Sequence, residues 1–324
     1  MLDSAAPQDA GRRPAFGTAF VMAAFLFVAP PLFLLAPLCF LLLFSRPLSG
    51  RVWFWILATA AAAGYSLVDA ARAPAGDGRL VAAFGLFSGA TFLALTHAVK
   101  TASPVSRALI AVGVSACAVL LWTRQSGLDL AQLDALFEAS LRASIPLALK
   151  DAPASQLNAA IAAIPMFVRL IPGFMGFQAL VGLGLAWRWY LRIASGPGLP
   201  PLRPFRNFRF SDPLIWGAIF TIGLSLVPLG PDANRAIQCL LVVWVGVYAT
   251  RGLAVVAAAT ETWSLPGRIL LLGLSFLAFP VAFGSVVTLG LADVWVDFRR
   301  RAALNSGGKK PDGSDSAGGR EGPR

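Results

Sequence analysis

The side chains able to do chemistry in this sequence are few, and most of them stand inside apolar runs. Arg169 lies between Pro165 and Pro172 in the middle of one such run. A guanidinium at membrane depth is costly unless something receives it, so Arg169 either pairs with an anionic substrate group, bonds another helix or snorkels toward the headgroups. Gln178, Asn234 and Gln238 are further polar groups in or at the edge of apolar segments. They are expected to hydrogen-bond across helices or to a ligand, and with Arg169 they form the candidate ligand-binding set. Asp293 and Asp297 are four apart and share a helical face. Carboxylates near a helix C-terminus oppose its macrodipole, so a structural charge clamp with Arg300 and Arg301 is expected rather than acid–base work.

Catalytic templates find no match. The sequence has no Gly-rich phosphate loop, no HExxH and no GxSxG, and no pair of embedded carboxylates accompanied by a base. The sole histidine, His97, has no second His, Cys or carboxylate close in sequence, which makes it a poor metal or catalytic candidate. Cys39, Cys117 and Cys239 are spaced far too widely for a CxxC pair and read as small buried hydrophobes. No catalytic residue, metal or cofactor is expected, and an enzyme is the less favoured reading.

What must position these residues is a membrane domain. Of 324 residues, 57% are hydrophobic and 13% charged, against about 25% charged in a soluble domain. That deficit excludes an ordinary soluble enzyme. Apolar segments fall near 16–44, 52–70, 80–98, 106–123, 160–187, 213–229, 235–258 and 268–292, each about long enough to cross hydrocarbon at 1.5 Å per residue. The expected fold is all-α: a polytopic transmembrane bundle of about eight hydrophobic segments. Pro30, Pro31 and Pro37 in the first, Pro165 and Pro172 in the fifth and Pro280 in the last are expected to bend or break their helices. Such breaks expose carbonyls that membranes tolerate only against protein or a wet cavity, so they point to a binding cavity as well as to packing kinks.

Residues 128–150 carry Leu130, Leu133, Leu136, Phe137 and Leu141 on one helical face, opposite Asp129, Asp134, Glu138 and Arg142. This is an amphipathic helix too polar to span, expected in the interface. Trp53, Trp55, Trp122, Trp187, Trp189, Trp216 and Trp295 stand near segment ends, where an indole can keep its ring in the acyl region and its N–H wet. Gly85 and Gly89, and Gly182 with Ala186, have the small-residue spacing of close helix contacts. Residues 1–14 and 304–324 are too polar to order themselves, which leaves 15–303 as the membrane domain.

The formal charge of +11 sits in short connections and at the ends, where it sets topology and touches lipid headgroups; without a stacking platform it does not indicate nucleic acid. Both tails and the 188–210 connection are basic, the mark of cytoplasmic loops. All three cannot be cytoplasmic under eight simple crossings. Either a proline-containing segment is a re-entrant pair or one basic loop departs from the rule.

Residues 203–216 (RPFRNFRFSDPLIW), Asn234 opening a span, Arg251-Gly-Leu-Ala-Val, and Leu289-Gly-Leu-Ala-Asp293-Val-Trp-Val-Asp297-Phe-Arg299 together resemble the YybS-like family of bacterial polytopic membrane proteins. The resemblance implies a multi-pass protein of the inner, or plasma, membrane. The family's layout is in turn similar to the substrate-binding membrane subunits of energy-coupling-factor transporters, which would imply a permease-like or substrate-capture role with a separate ATPase or other membrane subunit. A membrane scaffold that recruits envelope or cytoplasmic partners, and an intramembrane enzyme acting on lipid, are the alternatives.

Overall fold

The structure is a computed structural model that describes residues 52–72, 77–99, 101–127, 130–151, 153–193, 204–261 and 263–296. Every regular element among them is helical: α1 (Val52–Arg72), α2 (Asp77–Ala98), α3 (Pro104–Gln125), α4 (Leu130–Ala148), α5 (Ala154–Ile193), a 3₁₀ turn (Phe205–Asn207), α6 (Leu214–Ser225), α7 (Pro231–Ala259), α8 (Leu265–Leu277) and α9 (Phe279–Val296). The expected all-α membrane bundle is what the chain forms. The segment at 16–44 and both tails lie outside the described residues.

Among the described residues, five helices are long and apolar enough to cross a bilayer: α2, α3, α5, α7 and α9. The apolar core of α1 is slightly shorter, while α6 and α8 have 12 and 13 residues. At about 1.5 Å per residue the latter two rise about 18 and 20 Å, short of the roughly 30 Å hydrocarbon layer. Neither crosses alone as a helix.

The described residues divide into two compact units. In the first, comprising the chain up to Arg203 together with Phe210–Gly246, α1, α2 and α3 pack in sequence, and α5 packs on α2 and α3. Phe84, Phe92, Leu93, Ala111, Leu183 and Tyr190 belong to its buried core. Gly85, Gly89, Gly182 and Ala186 are all buried there. Buried hydroxyls meet their needs locally. Ser88 donates to the Phe84 carbonyl at 2.8 Å, Thr96 to Phe92 at 2.8 Å and Ser115 to Ala111 at 2.7 Å, so each is lodged in an apolar core without an orphaned O–H. His97 sits edge-on to Trp53, ring centres 5.6 Å apart.

Local signals set the helix ends. Ser103 caps α3 by accepting the Ser106 N–H at 3.1 Å, with Pro104 in the first turn where a missing N–H costs nothing. Beyond the far end Gly127 takes a φ of 73°, which stops the helix. The amphipathic stretch predicted at 128–150 is α4, which packs along α5.

Prolines act differently in different places. Ala278 separates α8 from α9 with φ −106° and ψ 41°, two residues before Pro280. Pro280 offers no N–H to the Phe276 carbonyl, and the helix breaks there. Pro165 and Pro172 leave α5 helical throughout its 40 residues.

In the first unit, α5 and α7 meet backbone to backbone. A Cβ added to Gly173 would stand 2.6 Å from the Cys239 carbonyl oxygen and 2.8 Å from its Cα. Gly64, by contrast, has open space around it. Gly173→Ala is therefore expected to destabilise the protein by about 1–3 kcal/mol through overpacking, while Gly64→Ala is neutral or stabilising by a few tenths, since alanine suits a helix better than glycine. Unfolding in mild detergent measures both; equal effects would contradict the close crossing.

Candidate functional site

The crossing of α5 and α7 decides which polar groups come together. Gly173 lies against Cys239, Gly176 against Val243, and Gly246 beneath the Phe177 ring, so the two helices advance side by side in the same direction. The Cys239 thiol donates to the Arg169 carbonyl at 3.3 Å. That bond puts Arg169 level with the residue next to Gln238.

Just N-terminal to the crossing on α5 a groove opens, with a volume of ≈ 720 Å³. Its α5 wall is Ala162, Pro165, Met166 and Arg169, the i, i+3, i+4, i+7 series of one helical face. Gln238, Leu241 and Val242 form the facing wall on α7. Both polar side chains of the groove, Arg169 and Gln238, are exposed, as is Met166. Among the described residues no carboxylate pairs with Arg169. Volume and lining suit a small-molecule site, where a mainly apolar surface carries a few convergent polar groups.

α5 is long for a single crossing: its 40 residues rise about 60 Å, more than the roughly 45 Å of a whole bilayer with headgroups. Arg169 and the α5 wall of the groove fall inside its stretch Ala154–Arg188, which is apolar enough to cross. The amphipathic α4 packs along α5.

A second polar contact ties α4 to α7. Arg235 grips Asp134 through two hydrogen bonds of 2.7 Å each. Arg235 is three residues before Gln238, and Asp134 belongs to the polar face of α4. Such a partly exposed bidentate pair contributes on the order of 1 kcal/mol and chiefly fixes geometry.

Of the four residues in the candidate ligand-binding set, the structure brings two together. Asn234 is half-buried one turn before Gln238 and lies outside the groove wall. Gln178 is half-buried on α5 about two and a half turns beyond Arg169 and is also outside it. No group of three His, Cys, Asp or Glu side chains has metal-binding proximity among the described residues.

The second unit, Pro204–Arg209 with Val247–Arg324, has its own polar centre. Asp293 is buried to 2% exposure, and its described partner is Arg251 of α7: Nε donates to Oδ2 at 3.0 Å and Nη2 to the Asp293 backbone carbonyl at 3.1 Å. One guanidinium thus answers both the carboxylate and the backbone carbonyl of the same residue. The approach depends on Gly252 and Gly290, whose added Cβ atoms would collide with the backbones of Val286 and Tyr248. Asp297, Arg300 and Arg301, the other members of the expected clamp, lie outside the described residues. Sequence reading passed over Arg251 as a partner and Arg235 altogether. The available signal was a cation inside one apolar run, Arg251, and a carboxylate at the end of another, Asp293.

Removing one partner of a buried pair strands the other, so Arg251→Met or Asp293→Leu alone is expected to destabilise by about 3–5 kcal/mol, whereas the double variant recovers most of the loss. A double-mutant cycle on unfolding in micelles measures it. Additive losses would argue against direct coupling.

Residues 17–294 match the family model described as Predicted membrane protein (DUF2232). No curated protein and no solved structure matches the chain.

Proposed function

Because that match spans most of its length, the chain belongs to the DUF2232 family of predicted membrane proteins, and on this premise we propose that it is a permease-like or substrate-capture protein of the inner, or plasma, membrane. The observation that carries the reading is the groove in which Arg169 and Gln238 meet across the contact of α5 and α7. A cation with no carboxylate partner among the described residues, held beside an amide in a concave apolar setting, is arranged to hold an anionic group.

The groove lacks the positioned acid, base and nucleophile that a reaction would require, which favours binding over catalysis. Active movement of a captured molecule would draw on an ion gradient or on a separate ATPase. A second reading, a non-transporting scaffold, is favoured by α4: Glu138 and Arg142 pair on its exposed face, Nη2 to Oε1 at 2.6 Å, a surface open to a partner.

Uptake of pooled metabolites by proteoliposomes separates the two. The permease reading expects uptake, reduced at least tenfold by Arg169→Leu, with normal insertion of the variant. No uptake by either form, together with specific retention of an envelope protein by the intact chain, would favour the scaffold.

A further inference from the structure

The groove's shape and lining say more about what it takes. We propose that its occupant is an amphiphile already dissolved in the bilayer, with one anionic head and one apolar chain. This rests on the reading of the groove as a binding site and narrows it.

Three features carry the inference. The polar groups are gathered at one place, Arg169 and Gln238, while the remainder of the lining is aliphatic or thioether: Pro165, Met166, Leu241 and Val242 among it. A water-soluble polar metabolite would leave its other hydroxyls or amides facing carbon, and each unpaired polar group costs affinity. A chain of methylenes suits such a wall. The second feature is access. Met166 is 68% exposed, and Arg169 and Gln238 are exposed with it, so the groove is open along its side and an amphiphile can enter laterally without first leaving the lipid. The third is the fit of the head: the planar fork of the guanidinium matches a carboxylate or phosphate. Gln238 supplies an amide donor to the same head.

The test uses the full chain in nanodiscs of zwitterionic lipid with dodecyl phosphate as the probe. Dodecyl phosphate is expected to bind saturably and to raise the unfolding temperature. Arg169→Leu should weaken binding about tenfold or more, and Gln238→Leu by a smaller factor. Arg169→Lys, which keeps the charge, should retain most of it. Arg142→Leu removes an exposed cation from α4 and should leave binding unchanged, which separates a site from general attraction to positive charge. Inorganic phosphate should fail to compete at millimolar concentration, and dodecyltrimethylammonium should fail to bind. Equal binding by Arg169→Leu, competition by inorganic phosphate, or equal binding of the cationic amphiphile would each overturn the proposal. Dodecyl phosphate binding without uptake of any metabolite would sink the permease reading and leave this one standing. Arg169-dependent uptake of a water-soluble anion without dodecyl phosphate binding would do the reverse.

Discussion

Hydrocarbon offers a peptide group nothing to hydrogen-bond with, and this constraint shapes the whole described chain. It makes the described elements helical, since a helix satisfies its own amides. It sends Ser88, Thr96 and Ser115 back onto carbonyls one turn earlier. It also accounts for the doubled role of Arg251, which answers both the carboxylate and the backbone carbonyl of the same residue, Asp293. In water either group could have been left to solvent.

Lipid also removes most of the hydrophobic force between helices, so close packing has to hold them. Glycine is the means in both units. Gly173 brings the α5 backbone onto Cys239 and thereby sets Arg169 level with Gln238; a larger residue would part the two sides of the groove. Gly252 and Gly290 let two backbones approach until a side chain as short as aspartate reaches across to arginine. The polar contacts are consequences of the small residues beside them.

Much of the architecture was legible in the apolar runs. Segments expected at 52–70, 80–98, 106–123 and 235–258 correspond to α1, α2, α3 and α7, and the amphipathic period at 128–150 gave α4. Length was harder to read. The run at 160–187 belongs to a helix from Ala154 to Ile193, because Gln156, Asn158 and Arg188 lower hydropathy without disfavouring helix. Proline was ambiguous for a physical reason: it removes one amide hydrogen bond wherever it falls in a helix, yet the helix breaks beside Pro280 while α5 runs on through two prolines. Arg169 and Gln238 could be picked out as polar residues at depth, yet nothing in their spacing shows that they share a wall. They stand on helices distant in sequence, and the contact that unites them is made by Gly173 and Cys239. Arg251 was visible as a word in the family resemblance, but its partner lies 42 residues away.

The central claim is that lipid is the solvent of these helices and that the groove opens into it. Spin labels report this directly when placed one at a time at Leu270, Met166 and Gln156, with Cys39, Cys117 and Cys239 replaced, in reconstituted bilayers. Collision with oxygen, which concentrates in lipid, is compared with collision with a water-soluble nickel chelate. Oxygen should dominate at Leu270 and at Met166, which lines the groove, and the nickel chelate at Gln156 near the end of α5. Nickel dominance at all three positions would mean that water surrounds these helices, and the account would fail.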